Sequence, residues 1–222
     1  MKLEIKNIEK SYGKRRILSG ASLECESGEC IGILGKNGSG KSTLFGVLTG
    51  LCRGTGQMLL DGEDLMLDKR RRYGEVGLVP QSPPLIPELS AADNLSLWYT
   101  RAEMKKELSD GVLSLLGIGE FLKTPVSKMS GGMKKRLAIG CAVARRPSVL
   151  LLDEMSAALD MVCRENIWEY LLDFRKKGGI VILATHDVYE LSSCDRLFVL
   201  RDGRLTEYTG ERDMKALAGL LL

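Results

Sequence analysis

The stretch Gly35-Lys36-Asn37-Gly38-Ser39-Gly40-Lys41-Ser42-Thr43 decides how this chain is read. It fits the phosphate-loop pattern of Gly, four residues, then Gly-Lys-Ser/Thr. A β-rich run, Cys30-Ile31-Gly32-Ile33-Leu34, leads into it, and a helix-like run, Ser42-Thr43-Leu44-Phe45-Gly46-Val47-Leu48, leads out. That strand–loop–helix setting separates the motif from a plain glycine-rich turn. The glycines let the backbone curl so that several N–H groups converge on one anion. The helix N-terminus adds its partial positive charge at the same point. Lys41 can reach the β- and γ-phosphates, and the Ser42 hydroxyl can ligate Mg2+. Alone, the motif says only nucleotide phosphate and does not choose among ATPase, GTPase and kinase.

Composition sets the bounds. At 222 residues the chain can bury a real core within one domain, and its hydrophobic and charged fractions are ordinary for a globular protein. A net charge of +3 with no basic block interleaved with aromatics gives no argument for a nucleic-acid partner. The opening Met1-Lys2-Leu3-Glu4-Ile5-Lys6 alternates charged and apolar residues, so it reads as a strand and not as a signal peptide. The longest apolar runs, 149–152 and 180–184, are far too short to span a bilayer, so a membrane role is expected to come through a partner. The six cysteines form no CxxC pair and the chain has a single histidine, which disfavours zinc and suits small buried thiols in a reducing cytosol.

Working outward, Leu3, Ile5 and, after a shift, Ile8 predict a first strand with one buried face. Tyr12-Gly13 reads as a turn and 22–26 as a second strand, giving a small antiparallel β section. Tyr12 there suits stacking on a base and suits a structural tyrosine at a strand end equally well. Past the first helix, 57–60 and 76–79 read as strands, and Lys69-Arg70-Arg71-Arg72 as a solvated helix face. Ser82-Pro83-Pro84-Leu85-Ile86-Pro87 cannot be a helix interior and reads as a linker. Helical signals fill 90–146: a helix over 93–100, another carrying Leu108, Val112, Leu115 and Leu116, and a third opened by Ser130-Gly131-Gly132. Val149-Leu150-Leu151-Leu152-Asp153-Glu154 has the form of a buried parallel strand ending in two carboxylates. An amphipathic helix over 161–176, a buried strand over 180–185, a hairpin around Asp202-Gly203 and a short C-terminal helix complete the chain.

In open parallel sheets, ligand chemistry gathers at the carboxyl ends of strands. Gly35, Gln81, Asp153-Glu154 and His186 all follow predicted strand ends. Asp153 suits the carboxylate that supports Mg2+, and Glu154 is then placed to accept a proton from an attacking water. His186, on position alone, reads equally as a satisfied structural residue and as a functional one.

Together these residues resemble the ATP-binding cassette (ABC) ATPase family over nearly the whole chain. Lys41 matches a Walker A loop, Asp153 a Walker B strand and Gln81 the Q-loop glutamine. Met129-Ser130-Gly131-Gly132-Met133 is similar to the signature motif, Ser156-Ala157-Ala158-Leu159-Asp160 to the D-loop, and Thr185-His186-Asp187 to the switch-histidine loop. Tyr12 falls where an aromatic residue stacks on adenine.

The resemblance implies an α/β P-loop NTPase of ABC type. Its mixed β-sheet core, 1–82 and 148–222, carries an antiparallel β section and an inserted α-helical subdomain over about 83–147. It implies ATP and Mg2+ as cofactors, with Tyr12, Gly35, Lys36, Asn37, Gly38, Ser39, Gly40, Lys41, Ser42, Thr43, Ser130, Gly131, Gly132 and Asp160 on the nucleotide. Ser42, Gln81 and Asp153 would serve the metal, and Glu154, His186 and Gln81 the chemistry. It further implies a second ABC ATPase subunit, identical or different, closing head to tail across ATP. An integral-membrane permease would hold the pair on the cytoplasmic face of the membrane, with 83–98 forming part of the docking groove or only a linker. The short chain resembles the exporter and multidrug-efflux branch.

The chain departs from the family pattern at Met133 for the signature glutamine, Met129 for its leucine, Met155 for a proline and Lys36 for another. A thioether cannot donate the hydrogen bonds of an amide, so retuned closure is expected, with phosphate binding retained. Two alternatives stay open: a poorly hydrolysing half of an asymmetric heterodimer, and a soluble ABC ATPase acting without transport. Ras-like GTPase and nucleotide-kinase readings do not account for Ser130-Gly131-Gly132 together with His186.

Overall fold

Continuous apolar runs become the inner strands of one sheet, and that sheet positions everything else. The computed structural model describes residues 1–155 and 161–220, without the side chains of 162, 163, 214 and 218. Five strands are parallel: β3 (Cys30–Leu34), β6 (Val76–Val79), β7 (Val149–Asp153), β8 (Ile180–Ala184) and β9 (Arg196–Arg201). With the antiparallel edge strand β10 (Arg204–Tyr208) they lie in the order β10-β9-β3-β8-β7-β6. Every residue of β3, β7 and β8 is buried, as helices on both faces require.

Successive side chains sort to opposite faces. Ile31, Ile33, Val149, Leu151, Ile180 and Ile182 pack with helix α1 (Lys41–Thr49) and a second sheet. Cys30, Leu34, Leu150, Leu152, Val181 and Leu183 pack on the other side, among the helices. Each fully buried large side chain, such as Phe45 or Leu48, contributes about 1.5–3 kcal/mol.

The second sheet is antiparallel, in the order β2-β1-β4-β5: β1 (Lys2–Tyr12), β2 (Arg15–Glu26), β4 (Thr55–Leu60) and β5 (Glu63–Asp64). The shift read between Ile5 and Ile8 is a bulge at Asn7, which takes φ +52° and donates its N–H to Ser22 Oγ at 2.8 Å. The extra residue returns Ile8 to the buried face. β2 begins at Arg15, earlier than residue 22, because its pairing with β1 runs to the end of the hairpin; the turn is Gly13-Lys14, and Tyr12 belongs to β1.

Helix α2 (Lys69–Glu75) carries the basic run and precedes β6. Beyond β6 come α3 (Ala91–Ser96), α4 (Arg101–Asp110), α5 (Val112–Leu115) and α6 (Gly131–Ala142), with two short 3-10 turns at Ile118–Phe121 and Val126–Lys128. Two helices differ from the sequence reading. The first stops at Ser96, because Thr100 forms a capping box with Glu103 that starts α4. The second breaks at Gly111, where Glu107 Oε2 accepts the Val112 N–H at 3.0 Å and ends the helical ladder. After β7 come α7 (Met161–Lys176), α8 (Val188–Ser192) and α9 (Met214–Gly219).

Candidate active site

The loop 35–43 joins the carboxyl end of β3 to α1, and its glycines are there because side chains do not fit. A Cβ on Gly35 would lie 2.6 Å from Ser39 Oγ and 2.8 Å from the Leu200 carbonyl oxygen. Gly40, the N-cap of α1, has φ +110°, and a Cβ there would meet Ile17 Cγ2 at 2.9 Å. The first turn of α1 holds no acidic residue, so nothing in it opposes an incoming anion. Lys41 folds back over the loop, its Nζ donating to the Gly35 carbonyl at 2.6 Å. Burial pulls the Lys41 pKa down, and the charges of Glu154 and Asp153 push it back up. Lys36, Asn37, Gly38 and Ser42 are exposed on the open side. Ser39 Oγ is buried without a hydrogen-bond partner among the described residues.

Tyr12 stands at the end of β1 beside this loop. Cys52 and Thr43 lie near its hydroxyl, and its exposed ring lies 4.5 Å below Lys10 Nζ.

The next two strands bring the acids. Asp153 ends β7 almost fully buried, with Ser42 facing its carboxyl across the intervening β8. Burial pushes its pKa up, and Ser42 with the charges of Lys41 and Lys135 pulls it back. Glu154, 8% exposed, takes φ +52°. A left-handed conformation at a non-glycine residue costs about 1–2 kcal/mol and is sustained by its surroundings. Here the Glu154 N–H donates to the Ala184 carbonyl at 2.8 Å, and the carboxylate lies 2.8–3.0 Å from His186 Nδ1. His186 follows β8 on a turn in which Thr185 Oγ1 accepts the Asp187 N–H at 3.1 Å and Asp187 caps α8. Most of the imidazole is open to solvent.

The structure thus brings Lys41, Ser42, Asp153, Glu154 and His186 together, and Gln81 stands exposed two residues past β6 on the same edge. Ser130 caps α6, its Oγ accepting the Met133 N–H at 3.2 Å. Among the described residues no hydrogen bond joins 130–132 to the loop 35–43. Asp160 and the rest of 156–160 lie outside the described residues. Met129 and Met155 are core residues, and Met133 packs at the core's edge.

Sequence reasoning missed Lys135. This lysine is 3% exposed, and its Nζ lies 3.1 Å from the Asp153 carbonyl oxygen and 3.2 Å from that of Pro80. Burial lowers its pKa, while the nearby charges of Asp153, Glu190 and Glu154 favour the ammonium. The available signal is periodicity: Gly132, Lys135 and Ile139 fall on one buried stripe of α6, where a lysine is out of place.

Comparison with known proteins places the chain in a family. A family model described as "ABC transporter" matches residues 18–157. The linearmycin resistance ATP-binding protein LnrL of Bacillus subtilis (strain 168) is 33% identical over 98% of this chain and 72% of its own length. The lantibiotic transport ATP-binding protein SrtF of Streptococcus pyogenes is 31% identical over 97% of this chain and 95% of its own. A dimeric structure of a post-hydrolysis state of an ATP-binding cassette, bound to ADP and Pi, superposes with a TM-score of 0.80 at 28% identity. That superposition covers 93% of this chain and 97% of the other. The chain belongs to the ABC transporter family, as an ATP-binding and ATP-hydrolysing subunit.

Proposed function

We propose that two such cassettes close on ATP, hydrolyse it with the residues described, and pass the motion to an integral-membrane permease. The observation that carries this reading is the buried Glu154, held against His186 beside Asp153 and Lys41. Glu154 takes the proton of the attacking water, and His186 holds its carboxylate in position. Lys41 leaves the Gly35 carbonyl for the phosphates, the 35–43 loop cradles them, and Tyr12 stacks on the base. Ser130, Gly131 and Gly132 meet the nucleotide of the other subunit, where the capped start of α6 offers N–H groups to an anion. Asp160 would also serve the nucleotide.

The donor set suits Mg2+. A hydroxyl and a carboxylate are hard oxygen ligands, and Ser42 lies near enough to the Asp153 carboxyl to favour its charged form. Among the described residues no cluster of three metal-binding side chains exists, which fits an ion held mainly by phosphates and water. When bound, the ion would neutralise charge developing on the phosphates. Gln81 would sense it from the end of β6.

The nucleotide-binding core is taken as 1–82 with 148–222, and the helical subdomain as about 83–147. Between them lies a groove of about 290 Å3, lined by Leu51, Tyr73, Leu85, Leu97, Trp98 and Arg145. Its exposed apolar side chains support docking of a permease segment there. Among the described residues no helix is long and apolar enough to cross a membrane. The permease would hold the subunit peripherally on the cytoplasmic face. The resistance and lantibiotic-transport names of the two relatives support an exporter of antibiotic-like cargo.

Size-exclusion chromatography of Glu154→Gln tests the closure. The variant should shift from monomer to dimer with Mg-ATP; a monomer at saturating Mg-ATP contradicts closure of two identical cassettes and favours a second subunit of different sequence or closure that needs the permease.

A further inference from the structure

Helix α6 starts at the Ser130 cap and, one turn further on, drives Lys135 into the interior. The ammonium lands between two backbone carbonyls, one at the end of β7 and one just past β6. One is Asp153 O, at 3.1 Å, in the peptide bond that leads into Glu154. The other is Pro80 O, at 3.2 Å, in the peptide bond that leads into Gln81. The Asp153–Glu154 peptide is therefore held from both sides, its carbonyl by Lys135 and its N–H by the Ala184 carbonyl at 2.8 Å. That plane fixes where the left-handed Glu154 can point its carboxylate. Ammonium-to-carbonyl bonds are charge-assisted and buried here, so they transmit displacement and do not simply swap for water.

We propose that Lys135 is a positioning residue that ties Glu154 and Gln81 to the seat of α6, so that the state of the 130–132 turn is read at the base of the same subunit. This coupling presupposes the two-cassette assembly proposed above. Because 130–132 would face the nucleotide of the opposite subunit, Lys135 links ATP at one composite site to the readiness of Glu154 at the other. Its side chain need touch neither nucleotide.

The test compares Lys135→Met, which keeps the apolar stem and removes the N–H donors, with Lys135→Arg, which keeps cation and donors. Steady-state hydrolysis is measured on both, and Mg-ATP-driven dimerisation on Lys135→Met in the Glu154→Gln background. In Lys135→Met, kcat should fall about tenfold while KM for ATP stays within about twofold. Lys135→Arg should recover most of the kcat, and Lys135→Met with Glu154→Gln should still form the ATP dimer. If Lys135→Met does not fold, Lys135→Leu, which also lacks N–H donors, is read by the same split of kcat against KM. Wild-type kcat in Lys135→Met, or an arginine variant as slow as the methionine one, overturns the proposal. No ATP dimer in Glu154→Gln with Lys135 intact would remove closure of two identical subunits and the coupling argued from it. A dimer there, with undiminished kcat in Lys135→Met, would overturn the role of Lys135 alone.

Discussion

His186 Nδ1 lies 2.8 Å from Glu154 Oε2 and 3.0 Å from Oε1, a bond that joins the carboxyl ends of β8 and β7. Glu154 reaches it through a left-handed backbone, so the imidazole helps define where the carboxylate rests. His186→Ala should lower kcat by about a hundredfold and leave ATP affinity nearly unchanged, because the ring touches the acid and not the loop. A matched loss in ATP affinity, read by equilibrium binding, would argue that His186 instead supports the phosphate loop.

The phosphate loop has a steric test. Gly40 sits at φ +110° with Ile17 Cγ2 in the way of any Cβ. Gly40→Ala should destabilise the fold by about 1–3 kcal/mol and weaken ATP binding, seen in thermal melts with and without nucleotide. A melt and an ATP affinity equal to wild type would show that the loop relaxes freely.

Asp153 carries a cost in the empty protein. Burial raises its pKa, so between the unfolded and folded values the native state holds a proton that the unfolded chain has lost. Stability of the nucleotide- and metal-free protein therefore falls as pH rises through that window. Asp153→Asn removes the loss. Its melting temperature should exceed wild type by about 2 °C above the window, with the gap closing as pH drops towards the ordinary carboxylate range. Its Mg-dependent turnover should vanish. An equal melting temperature at every pH would show that Ser42, Lys41 and Lys135 already offset the burial.

The groove is testable apart from hydrolysis. The Arg145 guanidinium lies 4.0 Å from the Tyr73 ring centroid and 5.9 Å from that of Trp98, tying the end of α6 to α2 and to the turn after α3. Such contacts contribute about 0.5–1 kcal/mol at exposed sites. Arg145→Ala should cost about that much stability, spare ATP turnover of the free subunit, and reduce assembly with permease-containing membranes. Unimpaired assembly would move the docking surface elsewhere.

Residues that carry their own chemistry are legible before folding. An apolar run ending in Asp153-Glu154, another ending before His186, and the 35–43 loop announce strand ends, and the sheet order brings them to one edge. What escapes the sequence is held by backbone. Lys135 bonds two carbonyls that every residue possesses, so no residue type marks its partners. The break at Gly111 depends on Glu107 turning to accept the Val112 N–H, a local competition that apolar periodicity across 108–116 conceals. Leu97 and Trp98 fit an amphipathic pattern, yet they point into the groove because α3 stops at Ser96.

The most direct measurement is ATP turnover of the wild-type subunit beside Glu154→Gln, with nucleotide binding measured on both. The account predicts turnover in wild type and its loss, by about a thousandfold or more, in the variant that still binds ATP. Undiminished hydrolysis in Glu154→Gln would contradict the assignment of Glu154 as the base and, with it, the reading of the site at the ends of β7 and β8.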